Sequence, residues 1–225
     1  MLVKKYRSEL VSIVNPFSGI YTLEFLSLNG QFKYQPGQFL HLSLDGDYDG
    51  VGQWPESRCF SMQSNSEEST IRITYAVKGR FTKCMEEYMT KGANVWLKMP
   101  YGNLFSQHHN KTKTVFIAGG TGVTPFLSLF THNSFNTYIN PQIYLGFRST
   151  EFNIYQKDLE KIKSGIIRIF YENLDGQLNI QKIFGENGPS SYYFISGPPG
   201  MISAFKNKLN ENGVPSQNIL TDDWE

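Results

Sequence analysis
Glycines set between an apolar strand and a helix favour one kind of chemistry. They let backbone amides come close to an anion at the end of the helix that already favours negative charge. The segment Ala118-Gly-Gly-Thr-Gly-Val-Thr-Pro125 has this form. It continues the apolar run Val115-Phe-Ile-Ala118, and Pro125 suits a first helical turn, where a missing N–H costs nothing. Pro125 stands where a G-x-G-x-x-G fingerprint has its third glycine, so the ordinary dinucleotide pattern is only partly met. A second such turn, Ser196-Gly-Pro-Pro-Gly-Met201, follows the apolar strand Tyr192-Tyr-Phe-Ile195. Ligands of open parallel sheets bind at the carboxyl ends of strands, so two glycine turns on one edge point to a dinucleotide. Each turn alone also reads as a plain strand-to-helix connection.

The first half of the chain carries another set of chemically able residues. Arg58-Cys-Phe-Ser61 places a fixed cation, an aromatic face and a hydroxyl on one extended segment, with Arg58 and Phe60 on one side and Ser61 on the other. An anionic, planar ligand suits the first pair. Lys78-Gly-Arg-Phe-Thr82 puts Gly79 and Thr82 at the start of a helix, a further anion-ready terminus. Taken singly, Arg58 reads as a surface ion pair and Thr82 as a helix cap. His108 and His109 are adjacent, point apart in an extended segment and lack carboxylate or cysteine companions, so no metal site is expected. Cys59 and Cys84 lack zinc or iron–sulfur spacing and read as free thiols, the second in a helix core.

Two kinds of element must position these residues. In the first half Leu40, Leu42 and Leu44, then Ile71, Ile73 and Tyr75, then Val95, Leu97 and Met99 alternate as in half-buried strands, which predicts a small antiparallel barrel or sandwich. One segment departs from that period: Phe81, Met85, Tyr88 and Met89 make the apolar stripe of a helix starting just after Gly79. After the polar stretch Ser106–Lys113 the pattern changes to apolar strands alternating with helices. Strands lie at 115–118, 142–145, 166–170 and 192–195; one helix starts at Pro125, one contains Leu159 and Ile162, and the last carries Met201, Phe205 and Leu209. Strand–helix alternation with strands buried on both faces predicts a doubly wound parallel sheet. The boundary falls in the polar stretch, giving domains 1–107 and 111–225.

Composition narrows the functional classes. Apolar residues make up 40% of the 225 and charged residues 18%, too apolar for a disordered chain. Lys and Arg number 21 against 20 Asp and Glu, evenly scattered, so no nucleic-acid stripe is expected. No run approaches a membrane span, and MLVKKYRSEL lacks the apolar region of a signal peptide, so a cytoplasmic location is expected.

Read in order, Tyr34-Gln-Pro-Gly-Gln-Phe39, Arg58-x-Phe-Ser61, Val77-Lys78-Gly-x-x-Thr82, Met99-Pro-Tyr-Gly102, Gly119-Gly-Thr-Gly-Val-Thr-Pro125 and Gly197-Pro-Pro-Gly-Met201 resemble the motifs of the ferredoxin–NADP(H) reductase superfamily, over almost the whole chain. The resemblance implies a six-stranded antiparallel FAD-binding barrel followed by a five-stranded parallel NAD(P)-binding domain. It assigns Arg58 to the flavin pyrophosphate, Phe60 to the isoalloxazine face and Ser61 to the neighbourhood of flavin N5, with Cys59 in the same segment. It places Tyr75 and Val77 along the adenosine half of the flavin, and Gly79, Phe81 and Thr82 in the helix start under its diphosphate. Gly120, Thr121 and Gly122 correspond to the loop under the nicotinamide and its pyrophosphate, and Gly197 and Pro198 to the opposite wall. Ser196 stands where the family often has a cysteine beside the reacting nicotinamide carbon. Trp224 is the candidate for a C-terminal aromatic covering the flavin, or else a loose terminal residue, and Asp222 and Asp223 read as an exposed acidic tail. Ser61, Thr121, Ser196 and Trp224 are thus the candidates nearest hydride transfer.

The implied activity is that of an FAD-dependent NAD(P)H oxidoreductase that passes hydride to flavin N5 and then single electrons to a separate ferredoxin, flavodoxin, oxygenase component or haem protein. Glu172 leans toward NADH, because a bare ribose diol wants a carboxylate acceptor, whereas Arg148 leans toward a phosphate. Two alternatives stay open: a flavin reductase using dissociable flavin, and a non-catalytic electron-transfer subunit.

Overall fold
The computed structural model describes residues 2–222, so the expectations placed on Asp223 and Trp224 lie outside the described residues. The chain divides into two units, Met1–Asn103 and Leu104–Glu225, each with a core of its own.

The first unit is the expected antiparallel barrel. Its strands are β1 (Lys4–Phe17), β2 (Ile20–Ser27), β3 (Phe39–Ser43), β4 (Arg58–Ser61), β5 (Thr70–Ala76) and β6 (Asn94–Tyr101), in the order β4-β3-β6-β1-β2-β5. The two end strands of that order are drawn together just past β4, where Gln63 N–H donates to the Arg72 carbonyl at 2.8 Å. Alternation works as the period requires. Leu40 and Leu42 of β3, Ile71, Ile73 and Tyr75 of β5, and Val95, Leu97 and Met99 of β6 all point into one core with Leu10, Leu23 and Phe25.

Helix α1 (Arg80–Tyr88) bridges β5 and β6 and starts where the sequence predicts, with Phe81 and Met85 buried. The expected stripe is corrected at one position. Tyr88 is 71% exposed, because the helix ends there and the next residue, Met89, turns extended and is buried instead. Cys84 is half-buried rather than in the helix core.

The second unit is the expected parallel sheet, with strands β7 (Thr114–Gly119), β8 (Gln142–Phe147), β9 (Ile166–Tyr171), β10 (Tyr192–Ser196) and β11 (Ile219–Thr221) in the order β11-β10-β7-β8-β9. Its helices are α2 (Thr124–Phe130), α3 (Gln156–Leu159), α4 (Glu172–Asp175), α5 (Ile180–Asn187) and α6 (Pro199–Glu211). Alternate residues of β7 feed two cores. Phe116 and Ala118 join a cluster with Phe126, Leu145 and Phe194, while Val115 and Ile117 join one with Tyr193, Ile195, Ile202 and Phe205. Helices therefore cover both faces, as in a doubly wound sheet.

Two expectations need correction here. Strand β9 lies at the sheet edge and is mostly half-buried rather than covered on both faces. Ile162 lies beyond α3, in a turn closed by Ile162 N–H to the Leu159 carbonyl at 3.1 Å.

The units divide between Asn103 and Leu104 rather than within the polar stretch after 107. The reason is aromatic packing: the Phe105 ring lies 5.3 Å from Phe194, 6.0 Å from Phe126 and 6.1 Å from Phe116. His109 belongs to the same packing. It is buried, its ring 4.9 Å from Phe194, with Nδ1 2.7 Å from the Gln107 carbonyl and Nε2 2.6 Å from the Tyr138 hydroxyl. In the neutral ring Nδ1–H donates to the Gln107 carbonyl and Nε2 accepts the Tyr138 O–H.

Burial pushes the His109 pKa below its ordinary value, and Lys111 and His108 reinforce the shift against the Gln107 carbonyl. The unfolded chain therefore binds a proton at a pH where the folded chain does not. Stability is fully present above the ordinary histidine value of about 6.5 and falls as pH drops from there through the depressed folded value. We expect the urea midpoint to decline as pH falls below about 6.5, with part of that decline removed in His109→Gln, as followed by circular dichroism.

Candidate functional site
In the first unit Arg58 opens β4, and its guanidinium carbon lies 5.3 Å above the ring of Phe81, in the first turn of α1. A cation from one strand is thus set beside the start of a helix 22 residues further along the chain. Arg58 Nη1 donates to the Ser57 carbonyl at 2.7 Å, which steadies the side chain. Its Nη2 lies 3.5 Å from Glu56 Oε1, and the same carboxylate takes Arg80 Nη2 on both oxygens at 2.8 and 2.9 Å.

The start of α1 is held open by its own cap. The Thr82 hydroxyl accepts the Lys78 and Gly79 amides at 2.9 and 3.1 Å and donates to the Gly79 carbonyl at 3.0 Å. First-turn amides of a helix have no intrahelical acceptor and are available to an anion. Gly79 itself has φ −141° and ψ −177°, an extended conformation any residue adopts, and a Cβ there would meet nothing within 4 Å. Neither backbone strain nor packing demands glycine at 79. A side chain would only cover the helix terminus.

The aromatic residues lie further into the barrel. Phe60 is 8% exposed and packs edge-on to Tyr75 at 6.0 Å, so a planar ligand would meet only the part of its ring that the core leaves open. Tyr75 is 3% exposed and stacks on Tyr21 at 5.4 Å; its buried hydroxyl has no hydrogen-bond partner among the described residues. Ser61 ends β4 and is buried, and Val77 is half-buried with its N–H on the Gly19 carbonyl at 2.8 Å. Cys59 alternates to the other face of β4, where its sulfur lies 3.5 Å from His41 Nε2. Burial pushes the Cys59 thiol pKa up, so it is a packed thiol on the side away from Arg58 and Phe60.

In the second unit, β7 and β10 are neighbours whose connections leave in opposite directions across the sheet. Such a reversal creates the crevice where open α/β sheets bind ligands. The loops after these strands are pressed together. A Cβ at Gly122 would lie 2.5 Å from both Cα and N of Gly197, and one at Gly197 would lie 3.1 Å from Gly119 N and 2.7 Å from Met201 Cε. Only glycine permits this approach, and Gly197 also has φ +149°. Gly120–Val123 forms a single 3-10 turn leading into α2, and a Cβ on Gly120 would meet open space. Thr121 is half-buried in that turn, and its carbonyl accepts the Thr124 hydroxyl at 2.9 Å. Pro198 caps α6 and is exposed.

The expected exposed acidic tail is corrected at Asp222. The Asp222 amide bonds the Ile195 carbonyl at 3.0 Å, extending the β10–β11 pairing by one residue, and its carboxylate accepts the Ser196 hydroxyl at 3.2 Å. That places a carboxylate behind the serine of the second glycine loop. The sequence signal was strand β11, whose two apolar residues, Ile219 and Leu220, are too few to announce it. Arg148 and Glu172 follow β8 and β9 at the same strand ends and are linked by Asn173 N–H to the Arg148 carbonyl at 3.2 Å. Glu172 accepts Gln177 Nε2 at 2.8 Å, and the Arg148 guanidinium lies over Phe152 at 5.9 Å. Among the described residues no group of His, Cys, Asp or Glu could hold a metal ion, and no helix is long and apolar enough to cross a membrane.

No family model matches the chain. It is 26% identical over 217 residues to the reductase component of propane 2-monooxygenase from Mycolicibacterium smegmatis, covering 87% of this chain and 60% of that protein. It is 25% identical over 191 residues to a probable electron transfer subunit of dihydroorotate dehydrogenase B (NAD(+)) from Methanopyrus kandleri, covering 82% of this chain and 67% of that protein. Among solved structures, a ferredoxin NADP+ reductase from Neisseria gonorrhoeae with bound FAD and NADP superposes with a TM-score of 0.80 at 17% identity, over 97% of this chain and 98% of that one. The chain therefore spans about 60% of the length of the propane 2-monooxygenase reductase component.

Proposed function
We propose that this chain, which has the two-domain fold of the ferredoxin–NADP(H) reductase superfamily, is an NAD(P)H-dependent flavoprotein reductase that hands electrons to a separate redox protein. The observation that carries the reading is the meeting of Arg58 with the glycine start of α1. FAD, when bound, supplies the conversion of a hydride equivalent into single electrons. Everything else is done by the chain's own groups.

Arg58 and the first amides of α1 hold the flavin diphosphate, with Gly79 kept bare so that it can approach. Phe60 bounds the flavin from the barrel side, backed by the buried ring of Tyr75 packed edge-on against it. In the second unit the Gly120-Thr-Gly122 turn and the Gly197-Pro198 turn hold the nicotinamide dinucleotide at the β7/β10 switch point. The Asp222 carboxylate orients the Ser196 hydroxyl at the head of that loop, and Ser61 lies at the end of β4 to meet the flavin ring. Catalysis by these groups is positioning. The fold and the relatives' names support this reading, and the cytoplasm, which holds nicotinamide dinucleotides, is the compartment it implies. The acceptor is a ferredoxin, flavodoxin, oxygenase component or haem protein.

Turnover of the FAD-loaded protein with NADH or NADPH and ferricyanide as a one-electron acceptor tests the activity. Acceptor reduction with either nucleotide supports it, and none with both overturns it. A second reading, an electron-transfer subunit of a larger complex, is favoured by the similarity to the Methanopyrus kandleri subunit. It predicts FAD that is retained and reduced only when the partner is added.

Glu172 at the end of β9 sets a preference for NADH, because its carboxylate accepts from a ribose diol and repels a phosphate there. Glu172→Ser is expected to shift the ratio of kcat/KM values toward NADPH about tenfold, equivalent to ~1.4 kcal/mol. An unchanged ratio would remove Glu172 from nucleotide choice.

A further inference from the structure
The flavin reading assigns Arg58 and the helix start, yet the structure gives Arg58 a carboxylate partner of its own and a second arginine sharing it. Glu56 stands two residues before Arg58, in the loop between β3 and β4. Its carboxylate is gripped by Arg80 Nη2 on both oxygens, at 2.8 and 2.9 Å, and is touched more loosely by Arg58 Nη2 at 3.5 Å. Arg80 is the first residue of α1 and lies within the Gly79-x-x-Thr82 segment. One anionic group thus already bridges the cation of β4 and the cation of the helix start.

We propose that Arg80 is a second guanidinium for the flavin diphosphate and that Glu56 is an internal competitor for it. The Glu56 carboxylate holds the two arginines until the diphosphate displaces it. This rests on the flavin reading above and adds regulation of the same site. The charge count supports displacement. With Glu56 in place, two arginines and one carboxylate leave a single net positive charge, whereas a diphosphate carrying two negative charges is matched by both arginines only once Glu56 has left. The cost of leaving is small, because all three side chains are about half exposed or more and exposed ion pairs contribute little to stability. The geometry also favours a movable carboxylate. Arg80 holds it through one nitrogen rather than through the two-nitrogen fork that makes arginine pairs strong. A direct consequence is that the chain binds FAD less tightly than the same cradle without the carboxylate.

The test is equilibrium titration of the apoprotein with FAD, and separately with riboflavin, which lacks the diphosphate, followed by flavin fluorescence. Glu56→Gln keeps the shape and removes the charge, and Arg80→Gln removes the second cation. The expected result is FAD affinity raised roughly 3- to 10-fold in E56Q and lowered by a similar factor in R80Q, with riboflavin affinity unchanged in both. FAD affinity unchanged or weakened in E56Q would overturn the competitor role and leave Glu56 as a strut that positions the arginines. Unchanged FAD affinity in R80Q would overturn the second-guanidinium role. A wild-type chain that binds neither FAD nor riboflavin would instead defeat the flavin reading itself, and the inference with it.

Discussion

Arg58→Met is expected to weaken FAD binding roughly 10- to 100-fold, the scale of hydrogen bonds of about 1.5–3 kcal/mol to a charged group. The methionine keeps an apolar stem against Phe81 but has no donor for a diphosphate. The fold should not register the change, because Arg58 is exposed and its contacts are the Ser57 carbonyl, the face of Phe81 and a 3.5 Å approach to Glu56. Surface substitutions of this kind usually stay within about 0.5 kcal/mol. Gly79→Leu provides a companion that reaches the same site without touching charge. Its backbone is extended and its surroundings open, so the unit folds while the leucine covers the helix terminus. Both variants should melt with the wild type and retain less FAD than it does through gel filtration, with the weakened affinity read by flavin fluorescence titration. Wild-type FAD affinity in Arg58→Met would remove the diphosphate role of Arg58.

Gly122→Ala is expected to act on the other cofactor. One methyl group there meets Gly197 Cα and N at 2.5 Å and the Ser196 carbonyl carbon at 2.6 Å, all backbone atoms that cannot swing aside. The two loops must separate by on the order of 1 Å, a misplacement that can cost about 100-fold in rate. Overpacking of this kind also costs about 1–3 kcal/mol of stability. Reduction by NADH should fall by roughly that 100-fold while the content of bound FAD stays at the wild-type level. Loss of FAD together with NADH reduction would contradict the assignment of this loop to the nicotinamide.

The parts of this molecule that sequence made legible are those where one physical rule acts alone. Period-two alternation placed the inward faces of β3, β5 and β6, and the glycine start placed α1 to the residue. Order and spacing of short motifs did what no single motif could, and carried the fold of both units. The long hairpin of β1 and β2 had no motif to mark it, and its outward side chains blur the alternation toward Phe17. Burial of Phe60 and the outward turn of Cys59 depend on which side of β4 faces the core, which is fixed by pairing with β3 and not by the segment itself. Asp222 was read as exposed tail because its partner, Ser196, is 26 residues away in the chain and is brought close only by parallel pairing of β10 with β11. Glu56 and Arg80 escaped for the same reason: an ion pair across 24 residues has no local signature. His109 looked like a linker residue because nothing near it in sequence announces the aromatic core formed by Phe105, Phe116 and Phe194.

Anaerobic mixing of the FAD-loaded protein with NADH, followed at the visible flavin band, asks most directly whether one chain holds both cofactors for hydride transfer. The expected result is loss of that band on addition of equimolar NADH, more slowly with NADPH, and its return when an oxidised one-electron acceptor is added. A band that neither nucleotide diminishes, in protein shown to retain FAD, would contradict the reductase assignment.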